Sequence, residues 1–455
     1  MATRWNCLGA LLCLLPGSAQ AQESALHTLV GLRIQDDLSG VCVSAQRIAP
    51  GPAGLAVDAT TRCASSTRSL PARPSYRFDL GALAGGLAGV LLAEMVERGE
   101  VALDEPLQAF LPQGVNAPGV DGRAITLRDL VTHTAGLPPL PTPRPASPGG
   151  RWNDASDAAA VHASLAHVEL TQAPGARYRE SGWGYMLLSD ALARRAAKPF
   201  EVLLRERVLE PLGMADTTVG GTASLLPGHT SGGGQTPPRT LPPQFAGAGG
   251  VRSTAGDMAT FARALLGDVP ARAPQSLRRA LAVAPRKLRE VNRNIAMAMG
   301  WRLTRHGDRE YVTLDDSGGG FSSAVALDLQ QRIAAVVLAD AAGGFDDLAL
   351  RLLEPGAPMS APRRAAPLDP SSAQALAGRY ALHDGVVLAV TWVDGKLRAQ
   401  VGSEPPAELR HDTRGDFHAV AFDALLRFTR EADGTASGLS LFEGASVTRG
   451  TRIAR

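Results

Sequence analysis

Residues 76–112 decide the fold, and they read Y-R-F-D-L-G-A-L-A-G-G-L-A-G-V-L-L-A-E-M-V-E-R-G-E-V-A-L-D-E-P-L-Q-A-F-L-P. The segment 82–98 carries no charge before Glu94 and is apolar on nearly every side of a helical projection. A helix of this kind is buried, so we predict a buried helix over 82–98. Gly99 is the expected C-cap, and Pro106 prevents any continuation.

The size and charge of the chain limit the classes of function. It has 455 residues and a formal net charge of +2 at pH 7. This length is enough for two or three domains with a large core. A charge so close to zero argues against nucleic acid or an anionic membrane surface as the main partner. Lysine is scarce, since Lys198, Lys287 and Lys396 are the only lysines.

The N-terminus has the pattern of a secretory signal peptide. Arg4 supplies the positive charge, residues 8–15 form a short apolar run, and residues 19–21 (A-Q-A) are a cleavage motif. The apolar run is too short to span a bilayer as a stable helix. We therefore expect cleavage near Ala21, a periplasmic or secreted protein that begins at Gln22, and no membrane span.

Two cysteines, Cys42 and Cys63, remain after removal of this segment. In an oxidising compartment they can form a disulfide, and two buried free thiols are the alternative. Both interpretations stay open at this point.

The mature chain alternates between segments typical of strands, helices and turns. Thr126 and Asp129 form a capping box at the start of a short helix. Ser253 is expected to cap another helix, with Asp257 nearby. Further helices are predicted over 183–196 and 200–209. Strands are predicted over 25–34, 41–47, 299–304, 310–314, 323–328 and 333–339, with irregular segments at 35–40 and 50–74.

Four segments share patterns with one family. Residues 99–112 match GxxxLDDPLxxYLP, and residues 124–138 match ITLRDLLTHTSGLP. Residues 174–217 follow PGxxFxYSNxGYxLLG and RVLxPLGMxDT, and residues 246–263 follow AGGLRSTAxDMARFxR. The chain thus resembles the beta-lactamase-related family of serine hydrolases, which includes class C beta-lactamases, DD-peptidases and esterases.

The resemblance implies an α/β, serine beta-lactamase/penicillin-binding-protein-like fold, with an antiparallel sheet flanked by helices and a helical subdomain. It also implies a small lipocalin-like β domain at the C-terminus, where short strands turn at Asp-Gly pairs. The expected organisation is a signal peptide at 1–21, a beta-lactamase-related domain at 22–354, a linker at 355–372 and the β domain at 373–455.

The nucleophile and base that the resemblance implies are absent. The family places a Ser, and a Lys three residues on, on one face of a helix, so that the amine can deprotonate the hydroxyl. Those positions hold Ala82 and Gly85, and no S-x-x-K occurs anywhere in the chain. The G-x-S-x-G elbow of α/β-hydrolases is absent too.

The family's Tyr-x-Asn loop, which supplies a second proton-transfer group and an amide contact, is also lost. An ungapped alignment places Glu180, Ser181 and Gly182 on it. A slip of two residues would place residues 178–180 (Y-R-E) there instead, but the ungapped alignment keeps Gly184 in register.

A third motif, the strand that carries K-T-G or H-x-G, has changed as well. Leu314 replaces the basic or imidazole residue, and Asp316 replaces a glycine that lines the cleft. His133 lies outside the family's reacting residues, so we interpret it as structural.

Three lost motifs in a well-matched frame favour a noncatalytic protein that binds a small molecule or peptidoglycan-related ligand, or a protein partner, through the old cleft. The ligand-binding residues would be Glu180, Ser181, Asp316 and Ser317. No cofactor or metal site is assigned. One alternative is a serine hydrolase that uses Ser181 or Ser317 with nearby carboxylates. Another is a structural envelope protein in which the β domain is the working part.

The substitutions also change the expected charge of the cleft. Glu180 and Asp316 would make it anionic, while Asp315 would alternate outward. An anionic cleft favours an amine-bearing ligand, or a divalent metal with oxygen ligands. In the alternative, both acids face solvent or pair with arginines such as Arg177 or Arg179.

Overall fold

The structure is a computed structural model, and it describes residues 24–66, 69–70, 76–141, 158–382, 385–444 and 446–453. The predicted signal peptide, residues 1–21, lies outside these ranges. Within them, no helix has both the length and the apolar character that crossing a membrane requires.

An antiparallel sheet forms the centre of the larger part of the chain. Its strand order is β10-β11-β12-β13-β14-β15-β1-β2, so the N-terminal strand β1 pairs with β15, the last strand of the sheet in sequence. Strand β14 is buried along its whole length. The strands are β1 Cys42–Gly51, β2 Gly54–Cys63, β10 Arg289–Asn292, β11 Ile295–Met297, β12 Arg302–His306, β13 Arg309–Gly318, β14 Phe321–Asp328 and β15 Ile333–Ala339.

Helices cover both faces of this sheet. On one face, α1 and α10 pack their apolar residues against β1, β14 and β15. On the other face, the larger core contains α2, α3, α5, α8 and α9. The helices are α1 Ala25–Ile34, α2 Ala84–Glu97, α3 Leu127–Val131, α4 Ala158–Ala163, α5 Gly182–Ala196, α6 Phe200–Leu204, α7 Glu210–Leu212, α8 Ala255–Leu265, α9 Gln275–Val283, α10 Asp346–Leu353 and α11 Pro370–Leu376.

Short paired strands complete the larger part. β3 and β6 both pair with β9, β4 pairs with β5, and β7 pairs with β8. These strands are β3 Phe78–Asp79, β4 Gly119–Val120, β5 Arg123–Ala124, β6 Thr218–Val219, β7 Gly228–His229, β8 Gln235–Thr236 and β9 Val251–Ser253.

Two predictions near the N-terminus were wrong. Residues 25–34 form helix α1 and not a strand, because Leu26, Val30 and Ile34 recur every four residues and face the core together. The Ser24 side chain caps this helix by accepting a hydrogen bond from the backbone N–H of His27 at 3.1 Å. Residues 50–74 are not irregular throughout, since β2 forms a mostly exposed edge strand of small and polar residues.

The predicted central helix is confirmed. A 3-10 turn at Gly81–Leu83 leads into α2, whose residues from Ala84 to Met95 are all buried. The capping box of Thr126 and Asp129 is also confirmed. The cap predicted at Ser253 was wrong by one residue, because Ser253 ends β9 and Thr254 caps α8.

The C-terminal strands close into a barrel of eight antiparallel strands, β16 to β23. Asp394 and Gly395 form one of its tight turns, both with positive φ, as an Asp-Gly hairpin requires. The predicted linker includes a buried ion pair between Arg363 and Asp37 at 3.0 Å, so this part is packed against the body of the protein. The strands are β16 Gly378–Ala381, β17 Val387–Val393, β18 Lys396–Val401, β19 Ala407–His411, β20 Phe417–Ala419, β21 Leu425–Arg430, β22 Ala436–Glu443 and β23 Ser446–Ile453.

A disulfide joins Cys42 and Cys63, which face each other in the register of β1 and β2. The bond closes a loop with a sequence separation of 21 residues. We predict that the double variant Cys42→Ala/Cys63→Ala loses about 3 kcal/mol of unfolding free energy, because the crosslink restricts the unfolded chain.

Urea unfolding of the mature protein, with and without reductant, measures this loss. Reductant should lower the midpoint of the wild type and leave that of the double variant unchanged. Equal midpoints for the two oxidised proteins would contradict the prediction.

Candidate functional site

A cavity of about 100 Å³ opens at the N-terminal end of α2. Its walls come from α2, α5, the loop before α5, and the sheet strands β11 to β13. The structure brings most of the altered motif positions into this one cavity. They are Ala82, Gly85, Glu180, Gly182 and Leu314.

The nucleophile and base positions lie on consecutive turns at the start of α2. Ala82 belongs to the 3-10 turn and Gly85 to the first turn of the α-helix, and both line the cavity. Ala82 has a methyl group where the family has the serine hydroxyl, and Gly85 has a hydrogen atom where the family has the lysine side chain. Neither residue can form a bond to an acyl carbon or accept a proton.

The ring of Tyr185 covers the lysine position. A Cβ atom built on Gly85 would lie 3.0 Å from Cε1 and 3.2 Å from Cδ1 of this ring. The Tyr185 hydroxyl donates a 2.7 Å hydrogen bond to the carbonyl oxygen of Val131, which fixes the ring. Burial raises the pKa of Tyr185, so the phenol stays protonated.

Strand β13 places Asp316 against the turn before α2. Gly81 has a φ of +52°, and a Cβ atom there would overlap the Asp316 carboxylate. Asp316 accepts a hydrogen bond from the Arg239 guanidinium at 3.0 Å. The acid is therefore paired, although with a different arginine from the two that the sequence suggested.

Asp315 also has an arginine partner. Its carboxylate accepts a 2.5 Å hydrogen bond from Arg302, which extends from the neighbouring strand β12. The prediction that Asp315 turns away from the cleft was wrong, because it lines the cavity together with Arg302. The ion pair holds it at the cavity wall.

Glu180 lies exposed at the mouth of the cavity, and within the described ranges no Lys, Arg or His is ion-paired with it. Partial desolvation raises its pKa, Asp315 and Asp316 raise it further, and the Arg302 guanidinium opposes both effects. Three acids and two arginines thus meet here. Within the described ranges, Asp315 and Asp316 each have an arginine partner in an ion pair, whereas Glu180 has none.

Tyr178 stands near Glu180 in the cavity wall, at the position that the two-residue slip would assign to the family's tyrosine. Desolvation and the nearby Glu180 carboxylate raise its pKa to about 12. A tyrosine that acts as a base needs a lowered pKa. Tyr178 therefore cannot accept a proton at neutral pH under either alignment.

His133 contributes to the wall and to the structure. Its Nδ1 accepts a 3.1 Å hydrogen bond from the backbone N–H of Ser181, and its ring lies 4.8 Å from the Tyr185 ring. Desolvation lowers the His133 pKa to about 4, so the imidazole is neutral at pH 7.

Neither predicted serine is placed as a nucleophile. Ser181 caps α5, because its Oγ accepts from the backbone N–H of Gly184 and donates to the carbonyl oxygen of Pro138. Ser317 lies outside this cavity, and its Oγ accepts hydrogen bonds from the backbone N–H groups of Gly343 and Gly344. Both hydroxyls serve local structure.

Sequence reasoning missed Arg239 and Arg302 as partners of the cleft acids. Arg239 comes from the segment after β8, far along the chain from Asp316, and no motif indicates that contact. Arg302 had a weak signal, since it lies in the predicted strand 299–304 and Asp315 directly follows the next predicted strand, 310–314. Within the described ranges, no group of three or more His, Cys, Asp or Glu side chains is arranged to hold a metal ion.

Comparison with known proteins identifies the relatives of this chain. A family model described as Beta-lactamase matches residues 51–354. The D-alanyl-D-alanine-carboxypeptidase/endopeptidase AmpH of Escherichia coli K12 is 28% identical over 272 residues, which cover 54% of this chain and 66% of AmpH. Esterase EstB of Burkholderia gladioli is 30% identical over 159 residues, covering 32% of this chain and 39% of the esterase. The chain thus spans less than two thirds of the length of these relatives.

Solved structures share the fold. A beta-lactamase/D-alanine carboxypeptidase from Pseudomonas syringae superposes with a TM-score of 0.61 at 20% identity, covering 74% of this chain and 100% of that one. A class C beta-lactamase superposes with a TM-score of 0.59 at 16% identity, covering 70% and 92%.

We predict different effects of adding side-chain atoms at Gly85 and at Ala82. Gly85→Ala should lose about 1–3 kcal/mol of unfolding free energy, because its Cβ is forced against the Tyr185 ring. Ala82→Ser should change stability by less than about 0.5 kcal/mol, because that side chain points into open cavity.

Chemical denaturation of the two variants beside the wild type measures both values. A Gly85→Ala variant as stable as the wild type would show that the Tyr185 ring moves freely and does not close the lysine position.

Proposed function

Since the chain belongs to the beta-lactamase family, we propose that it is a secreted member without the family's acyl-transfer chemistry at this cleft, and that the cleft binds an amine-bearing ligand. The observation that carries the proposal is the cavity itself. The cavity is lined by Ala82, Gly85 and Leu314, which occupy the positions of the family's reacting residues. Glu180, a carboxylate without an ion-pair partner in the described ranges, lies at its mouth.

Acyl transfer at this cleft would need an atom to attack the acyl carbon and a group to take its proton. Ala82 offers no such atom, and Gly85 carries no amine, because it has no side chain and the Tyr185 ring lies close to where its Cβ would be. Tyr178 and His133 line the same cavity, but the phenol is too weak an acid to ionise, and Nδ1 of His133 accepts from the backbone N–H of Ser181, whose hydroxyl donates to Pro138 instead. Deleting a serine nucleophile alone costs about a millionfold in turnover in a well-studied hydrolase.

The charges of the cleft support a cationic ligand group. Asp315 is neutralised by Arg302 and Asp316 by Arg239, which leaves Glu180 to attract a positive charge. An ammonium group suits this site, since it donates three hydrogen bonds and can contact both the carboxylate and the Tyr178 and Tyr185 rings. A small peptide with a free amine, such as a peptidoglycan fragment, carries that group.

Secretion is part of the same proposal. The signal-like pattern at residues 1–21 supports it, and so does the disulfide between Cys42 and Cys63, because such bonds persist in oxidising compartments. We retain the division into a body at 22–354, a linker at 355–372 and a β domain at 373–455. A purely structural envelope role would leave the cleft without a ligand, which the next experiment can detect.

Calorimetry with D-alanyl-D-alanine tests the role of the amine. We predict measurable binding to the wild type and an affinity about fivefold lower for Glu180→Gln, because an exposed charge pair contributes about 1 kcal/mol. N-acetyl-D-alanyl-D-alanine lacks the positive charge of the amine, so it should bind the wild type and Glu180→Gln equally weakly.

Glu431→Gln provides the matched control, because this exposed glutamate lies at a turn of the barrel. It should bind the dipeptide as the wild type does. The proposal fails if neither peptide binds, or if the acetylated peptide binds as tightly as the free amine.

The pH dependence of binding gives a second prediction. Since the pKa of Glu180 is raised above its ordinary value of 4.5 by desolvation and by Asp315 and Asp316, the carboxylate takes up a proton earlier as the pH falls. Affinity for the dipeptide should therefore be constant near pH 7 and fall as acidification passes through this raised pKa. Affinity of Glu180→Gln should not change over the same range, and a parallel loss in both proteins would contradict the assignment.

A further inference from the structure

The turn between β7 and β8 packs against the barrel and carries Ser231. Thr230 donates a 3.1 Å hydrogen bond to the carbonyl oxygen of Val420, next to β20 of the barrel. The following glycine, Gly232, is so close to the carbonyl of Ala419 that any side chain there would overlap it. Ser231, between them, is therefore held at the junction of the body and the barrel.

The barrel places an imidazole and a carboxylate in line with this serine. The Oγ of Ser231 lies 3.2 Å from Nδ1 of His418, and Nε2 of His418 lies 3.1 Å from Oδ2 of Asp412. His418 and Asp412 are fully buried, and Ser231 is 7% exposed. A serine, a histidine and a carboxylate in one hydrogen-bonded chain is the arrangement of a nucleophile, its general base and the group that orients the base.

The contacts of Asp412 fix the tautomer of His418. The backbone N–H groups of Arg414 and Asp416 donate to Oδ1 at 2.9 and 3.0 Å, and Arg414 Nε donates to Oδ2 at 3.1 Å. Burial raises the pKa of Asp412, but the backbone N–H groups of Asp416 and Arg414 and the His418 imidazole lower it by more, so the acid is ionised. An ionised carboxylate next to Nε2 keeps the proton on that nitrogen. The lone pair on Nδ1 then faces the Ser231 hydroxyl.

A cavity of about 590 Å³ gives access to these groups. Ser231 and His418 both line it, and so does the guanidinium of Arg363. Burial lowers the pKa of His418, and the positive charge of Arg363 lowers it further, so the imidazole is neutral and free to take a proton. Glu180 and Asp315 form part of the wall, so this cavity borders the cleft described above.

We propose that Ser231, His418 and Asp412 form a second, acyl-transferring site at the junction of body and barrel, which acts on small polar acyl esters. This site is independent of the proposed cleft ligand. Ser231 and His418 would be the catalytic residues, and Asp412 a positioning residue.

The step balances with these groups alone. Ser231 Oγ bonds to the ester carbonyl carbon while its proton passes to His418 Nδ1. The carbon–oxygen bond to the alcohol then breaks, and the alcohol leaves with the proton from His418. Water attacks the acyl carbon and gives a proton to the same nitrogen, which returns it to Ser231 as the acid is released.

The residues that line the 590 Å³ cavity indicate the class of substrate. Most of the wall is charged or polar, with Asp416, Asp423 and Arg427 beside the groups already named. A long acyl chain would bury apolar surface against charges, whereas a short acyl group with polar substituents can be solvated there. We therefore expect hydrolysis of p-nitrophenyl acetate and little hydrolysis of the laurate ester.

Labelling with a fluorophosphonate tests the site directly, because the serine oxygen displaces fluoride from phosphorus. The mature wild-type protein should be labelled once, and peptide mapping by mass spectrometry should find the phosphonate on Ser231. This measurement uses the wild-type protein alone, so a substitution that disturbs folding cannot affect it. A protein that is not labelled above a heat-denatured control, or a label on any other serine, would overturn the proposal.

Variants test whether the labelling of Ser231 depends on His418 as the general base. Ser231→Ala should remove the label, and His418→Gln should slow labelling by about 100-fold or more, since general-base catalysis contributes about that much. Ser371→Ala is the matched control, because its hydroxyl donates to the carboxylate of Asp369 at 2.5 Å and not to an imidazole. It should be labelled at the wild-type rate. A His418→Gln variant with the wild-type melting temperature and the wild-type labelling rate would show that the contact is only structural.

Discussion

The close approach of α2 to the sheet is the constraint on which the rest of the structure depends. At Gly89 any side chain would overlap the carbonyl oxygen of Met299, and at Gly300 any side chain would overlap the carbonyl oxygen of Gly85. The helix can therefore reach this depth only with glycines on that face. The ring of Tyr185 also packs against Gly85, so the absence of a side chain at this position allows the close packing. The cavity at the start of α2 is retained, and Ala82 and Gly85 line it in place of the family's serine and lysine.

Much of the fold could be predicted, because its signals are local. The buried helix α2, the capping box at Thr126 and the Asp-Gly turn at Asp394 each follow from a few neighbouring residues. Helix α1 was misread although Leu26, Val30 and Ile34 have helical spacing, since a short apolar segment also suits a strand. Strand β2 was missed because an exposed edge strand shows little alternation.

The altered motif positions could be read from the sequence, whereas the side chains that contact them could not. Motif positions can be read from sequence, so the absence of a nucleophile at Ala82 was visible there. The partners of the acids come from distant segments, and only the folded chain brings Arg239 to Asp316. The serine, imidazole and carboxylate at the junction were invisible for the same reason, because the hairpin that carries Ser231 lies almost two hundred residues from His418. Long-range contacts are set by the tertiary fold and leave no spacing to recognise.

The central claim is that this fold persists while its original acylation chemistry is gone. Intact-mass spectrometry of the mature wild-type protein after prolonged incubation with benzylpenicillin tests that claim most directly, with an active DD-peptidase as the positive control. We expect an unchanged mass for this protein and a penicilloyl adduct for the control. A stoichiometric adduct that peptide mapping places on a residue of the cleft beside Ala82 would contradict it.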